Sequence, residues 1–89
     1  MKVIHVVIKN EYGLHARPSS LLANLASQFK SEIRLLKEDK EVNVKSIMNL
    51  LLLAAGKDTK LTVSADGNDE DKALEAIREL IEVRKFDED

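Results

Sequence analysis

Apolar positions along the chain follow two periods, one of two residues and one of about 3.6, and their succession predicts the order of the elements. Ile4, Val6 and Ile8 alternate with Val3, His5 and Val7, which predicts a first strand over residues 3–8. The polar loop Asn10, Glu11, Tyr12 and Gly13 follows. Leu21, Leu22, Leu25, Ala26 and Phe29 then recur at helical spacing, with Ser20, Asn24, Ser27 and Gln28 largely opposite, and predict a helix over residues 16–28. Ile33 and Leu35 alternate with Glu32, Arg34 and Leu36 in a second strand, and Glu38 and Asp39 turn the chain into a short third strand over residues 41–44. Ser46 is placed to cap a second helix over residues 47–55, ended by Gly56. Leu61, Val63 and Ala65 alternate with Thr62 and Ser64 in a fourth strand. After the Asp66-Gly67 turn, Asn68 and Asp71 resemble a capping pair for a last helix whose stripe is Ala73, Leu74, Ile77, Leu80 and Ile81. The tail, Phe86 to Asp89, is expected to fray.

The order is therefore β-α-β-β-α-β-α without internal repeats. Amphipathic helices beside half-apolar strands predict an α+β fold, an open-faced β-sandwich with three helices on one face of a four-stranded antiparallel sheet. One helix departs from the pattern. Ile47, Met48, Leu50, Leu51, Leu52 and Leu53 cover every side of the cylinder, although a helix lying on a two-layer domain buries only one stripe. If Leu50 and Leu53 face the core, Ile47, Met48 and Leu51 form an exposed apolar patch beside His15, flanked by Lys45 and Arg17 and suited to docking a partner; the alternative is that the run is core under a neighbouring loop or a homodimer contact.

Composition narrows the class. At 89 residues the chain is expected to form a single domain, spanning residues 1–89, and likewise a monomer. With no Cys, disulfides and thiolate metal sites are excluded, and a reducing, cytoplasmic setting is permitted. No signal peptide or membrane-spanning run is read at the start or elsewhere, so membrane insertion is not expected. A formal net charge of −2, two Phe, one Tyr and no Trp leave neither the basic surface nor the stacking platforms that nucleic-acid binding requires. The two histidines, His5 and His15, lie far apart in sequence with no neighbouring ligand set, so no metal or other cofactor is expected. His5 reads as an ordinary strand histidine.

His15 reads differently. Pro18 lacks an N–H and has φ fixed near −65°, which suits the first turn of a helix and makes His15 the N-cap. The backbone donors of that turn, those of Ala16 and Arg17 first, the positive end of the macrodipole and the Arg17 guanidinium offer one small volume to an anion. A nucleophilic imidazole placed there suggests phosphate chemistry.

The run Gly13-Leu14-His15-Ala16-Arg17-Pro18, with Lys45-Ser46-Ile47-Met48 and Ala65-Asp66-Gly67-Asn68-Asp69-Glu70 further on, closely resembles the HPr family, the histidine-containing phosphocarriers of the bacterial sugar phosphotransferase system. The resemblance covers essentially the whole chain. It implies that His15, with Arg17, accepts a phosphoryl group on Nδ1 from phosphorylated enzyme I and passes it to enzyme IIA domains. It also implies docking through Ser20, Lys45, Ile47, Met48 and Leu51, and regulatory phosphorylation at Ser46 by a serine kinase/phosphatase, with recruitment of a transcriptional regulator. Retention of His15 weighs against a purely regulatory relative of the same fold. Tyr12, Asn49 and the early glycine in Ala54-Ala55-Gly56 depart from the family pattern, and leave a specialised, nitrogen-related branch of the system as an alternative.

Overall fold

The computed structural model describes residues 1–88. Among these, β1 (Lys2–Val7), β2 (Glu32–Lys37), β3 (Lys40–Asn43) and β4 (Lys60–Asp66) form one antiparallel sheet in the order β1-β4-β2-β3. Register follows from the period-two pattern. Ile4 pairs with Val63, Val63 with Leu35 and Leu35 with Val42, so one apolar row crosses all four strands on the inner face. The row His5, Thr62, Leu36 and Glu41 lies on the other face, open to solvent, where His5 Nδ1 is 3.1 Å from the Thr62 hydroxyl. The predicted α+β open-faced sandwich is the architecture observed.

Three α-helices, α1 (Ala16–Ala26), α2 (Ile47–Leu53) and α3 (Glu70–Arg78), cover the inner face among the described residues. Its core joins Val6, Ile33, Leu35, Leu61 and Val63 of the sheet to Leu22, Ala26, Leu50, Leu53, Ala73 and Ile77 of the helices, all at most 1% exposed. Helix α1 ends two residues earlier than predicted, and its buried stripe is turned. Pro18, Ser19, Leu22, Ala23 and Ala26 face inward, whereas Leu21, Leu25 and Phe29 are only half-buried at its flank. Ser19 can be buried because its hydroxyl donates to the Leu14 carbonyl at 3.2 Å, which meets the requirement that a buried polar group be paired.

Helix α2 begins as predicted. The Ser46 side chain accepts the Asn49 N–H at 3.2 Å, satisfying one of the donors that a helix start leaves free. Ser46→Ala is expected to cost about 1 kcal/mol, read as a lower urea midpoint with an unchanged slope. The helix end differs from the prediction. Ala54, at φ 54° and ψ 42°, takes the left-handed cap position, and Gly56 lies beyond it. Stopping there lets the Ala55 carbonyl accept the Leu14 N–H at 2.8 Å, a bond that ties the end of α2 to the loop before α1.

Helix α3 is capped by Asp69 and not by Asn68. The Asp69 carboxylate turns away from its own helix and accepts the Ser31 hydroxyl and the backbone N–H groups of Lys30 and Ser31, clasping the start of β2 to the start of α3. Beyond Arg78 the helix widens into a π-type turn, Glu79–Val83. A 3-10 turn, Lys85–Asp87, follows, with φ of 50°, 57° and 60° at its three residues. Left-handed backbone costs about 1–2 kcal/mol per L-residue, so something must hold this turn. Phe86 is fully buried in the core, and its burial is the compensating term. The tail therefore does not fray over residues 86–88, and the expectation for Asp89 lies outside the described residues. The turn folds back over the start of α1.

Candidate functional site

Three local features fix the backbone of His15. Gly13 has φ 66°, and a Cβ there would overlap the Ala55 carbonyl oxygen, so only glycine fits the approach. Leu14 is buried and hydrogen-bonded to Ala55. His15 then adopts extended backbone, φ −84° and ψ −168°, as the N-cap of α1, and its carbonyl accepts the Ser19 N–H at 3.0 Å. Its imidazole makes no capping bond and is free to face outward. The N–H groups of Ala16 and Arg17 have no intrahelical acceptor, and Pro18 has no N–H to satisfy. The macrodipole adds positive potential at the same place.

Around the ring stand four side chains. His15 Nε2 lies 3.2 Å from Glu88 Oε1 and 3.1 Å from Oε2. Arg17 Nη1 is 3.7 Å from Glu88 Oε2 and donates to the Phe86 carbonyl at 3.4 Å. The buried Asn10 donates from Nδ2 to Gly13 O at 2.9 Å and to Glu88 Oε1 at 3.0 Å. The Tyr12 ring meets the imidazole edge-on, with centroids 6.1 Å apart and planes at 90°. The side chains of His15 and Arg17 remain 41% and 57% exposed, so the ring can be reached from solvent. Asn10, Tyr12 and Glu88 were missed as neighbours of the histidine because no motif spacing links residues 10 and 88. The only sequence signal was Phe86, a large apolar side chain inside an acidic tail.

The Asn10 amide holds the Glu88 carboxyl below its ordinary value of 4.5, and the bond from His15 and the charge of Arg17 add to the effect against the opposing pull of burial. The Asp69 carboxyl is lowered as well, first by the Ser31 hydroxyl and then by the Lys30 N–H. A carboxyl lowered by folding stabilises the native state above its unfolded pKa, and that contribution is lost as pH falls through the folded value. Stability is therefore expected to decline below pH 4.5 as the tail lets go, and further below pH 3.8 as the β2–α3 clasp does. Thermal unfolding between neutral and acid pH checks this, and Glu88→Gln and Asp69→Asn should each flatten the acid limb.

The other residues singled out in the sequence lie along α1 and α2. Ser20 is half-buried one turn into α1. Ile47, Met48 and Leu51 are 41%, 65% and 38% exposed, and Leu52, not singled out before, is 70% exposed. Lys45 Nζ donates to the Phe29 carbonyl at 2.8 Å, beyond the C-terminal end of α1. At 1.5 Å per residue, that end lies roughly 16 Å from His15. Lys45 thus borders the α2 patch and not the imidazole. Among the described residues no cluster of His, Asp and Glu is arranged to hold a metal, and no helix is long and apolar enough to cross a membrane.

The family model described as the PTS HPr component phosphorylation site matches residues 3–83. The chain belongs to the HPr family. The phosphocarrier protein HPr of Mycoplasma capricolum is 44% identical over 81 residues, covering 91% of this chain and 91% of its own length. That of Neisseria meningitidis serogroup A is 49% identical over 76 residues, 85% of each chain. The crystal structure of HPr-C-His from Thermoanaerobacter tengcongensis superposes with a TM-score of 0.95 at 44% identity, over 100% of this chain and 99% of that one. Membership in the HPr family carries the role of phosphocarrier in the phosphotransferase system. The family match ends at Val83, before the turn that bears Glu88.

Proposed function

We propose that this chain, acting as one domain in the cytoplasm, accepts a phosphoryl group on His15 from phosphorylated enzyme I and delivers it to a histidine of an enzyme IIA domain. The observation that carries this reading is a solvent-accessible imidazole standing at the N-terminus of α1, beside the Arg17 guanidinium. A neutral ring nitrogen attacks phosphorus, and the phosphoryl oxygens then meet Arg17 and the backbone donors of Ala16 and Arg17. Each such contact at an exposed helix end is worth only about 0.3–1 kcal/mol. A hold of that size favours a group that must leave again.

Docking falls to the apolar face of α2 and the adjoining side of α1. Ile47, Met48 and Leu51 offer the apolar centre, Ser20 lies on the α1 side, and Lys45 borders the far end. Ser46 heads this patch, so a phosphoryl group placed there by a serine kinase would set a dianion where an apolar partner must seat, and would slow transfer at His15.

The test is incubation with phosphoenolpyruvate and enzyme I, then with a IIA domain. The expected product is one acid-labile phosphoryl group per chain that passes to the IIA domain. An acid-stable label would be a phosphoserine, and no label would refute the carrier role.

A further inference from the structure

We infer that Glu88 is a positioning residue for phosphoryl transfer: its carboxylate selects the His15 tautomer that bears hydrogen on Nε2, and it stays to balance the charge that the ring gains on phosphorylation. The inference rests on the phosphocarrier reading of His15 and adds a residue outside the span matched by the family.

An ionised carboxylate has acceptors only, so a bond between Glu88 and Nε2 at 3.1–3.2 Å requires the hydrogen to sit on Nε2. A neutral imidazole carries one N–H. Nδ1 is then left with its lone pair, and the attacking nitrogen is selected by a group on the opposite side of the ring. The carboxylate is itself fixed. Asn10 is 3% exposed, and its Nδ2 hydrogens are divided between the Gly13 carbonyl and Glu88 Oε1, two acceptors that leave no room for the flipped amide. Phe86 anchors the turn in the core, and the Glu88 N–H donates to the Lys85 carbonyl at 3.0 Å. The Glu88 side chain is only 20% exposed, which strengthens its pairing with the ring.

In the transfer step the Nδ1 lone pair forms the N–P bond while the donor's bond to phosphorus breaks and its electron pair stays with the donor. The hydrogen on Nε2 does not move. The ring becomes an imidazolium bearing phosphate on Nδ1, and Glu88 faces the new positive charge. On delivery to the next acceptor the N–P electron pair returns to Nδ1. The charged and titratable groups facing the ring are Glu88 and Arg17, with the Tyr12 phenol edge-on and Asp87 near enough to Arg17 to feel its charge.

The test uses the full-length chain with ¹⁵N-labelled histidine. Long-range ¹H–¹⁵N spectra of the unphosphorylated protein should show His15 predominantly protonated on Nε2, and Glu88→Ala should shift it toward a mixture of tautomers. Glu88→Gln, which still offers an oxygen to Nε2–H but no charge, should retain the tautomer. Both variants should accept phosphate from enzyme I more slowly, by roughly 10-fold, the lower end of what loss of the hydrogen-bonded partner of a metal-ligating histidine costs. An unchanged tautomer ratio in Glu88→Ala, or an unchanged transfer rate in both variants, overturns the proposal. A tautomer that depends on Glu88 in a chain that enzyme I never phosphorylates would instead refute the carrier reading, because the spectroscopic arm does not require phosphate.

Discussion

His15→Ala is expected to abolish labelling by phosphoenolpyruvate and enzyme I while leaving the fold in place. The two halves of that expectation have separate reasons. The label is lost because alanine offers no nucleophile, and the other histidine, His5, lies on the opposite, open face of the sheet beside Thr62, far from Arg17 and the α1 terminus. The fold survives because the imidazole makes no capping bond to α1. An N-cap replacement ordinarily costs about 1 kcal/mol through the lost side-chain bond, and here the helix has no such bond to lose. Urea unfolding should therefore move by less than about 1 kcal/mol, and His5→Ala should label like the parent chain. Persistent, acid-labile label on His15→Ala would show that another residue carries the phosphoryl group.

Phe86→Ala is expected to be the most damaging single truncation outside the sheet. The ring is fully buried, and emptying such a site typically costs about 3–5 kcal/mol. Phe86 also holds the three left-handed residues of the terminal turn, so its loss frees Glu88 from the imidazole and Arg17 at the same time. A domain of this size is stable by about 5–15 kcal/mol in total, so the melting temperature should fall by more than about 10 °C. Phe86→Leu should recover most of that loss. Were the tail loose in solution, the substitution would change stability by no more than about 0.5 kcal/mol, and calorimetry separates the two outcomes.

Much of the fold was legible because strands and helices impose periods that the apolar residues obey. The alternation in β1, β2 and β4 was enough to predict which residues form the inner face, and Ser46 announced the start of α2 through capping chemistry that is local by nature. The face of α1 was read less well. The apolar letters pointed to Leu21, Leu22, Leu25, Ala26 and Phe29; Leu22 and Ala26 are buried as expected, but the helix also seats Pro18, Ser19 and Ala23, with Ser19 paired to Leu14 across the helix start, and leaves Leu21, Leu25 and Phe29 packed at the edge of the core. Gly56 is the glycine that ordinarily stops a helix, whereas here Ala54 takes the left-handed position and Ala55 meets Leu14. The tail was misread for a similar reason. Its direction is set by a π-type turn and three positive φ angles, and a lone phenylalanine among charges has no period from which to infer burial. The site divides along the same line. His15, Ala16 and Arg17 announced themselves by local order, while Asn10 and Glu88 reach the ring only through the closure of the chain on itself.

The measurement that bears most directly on the carrier role is the position of phosphorus in the chain after reaction with phosphoenolpyruvate and enzyme I, read from ³¹P coupling to the ring nitrogens of ¹⁵N-labelled histidine. Coupling of a single phosphoryl group to Nδ1 of His15, with Nε2 still facing Glu88, is the expected result. Coupling to His5, or a phosphoryl group on a serine with the His15 ring unchanged, would contradict it.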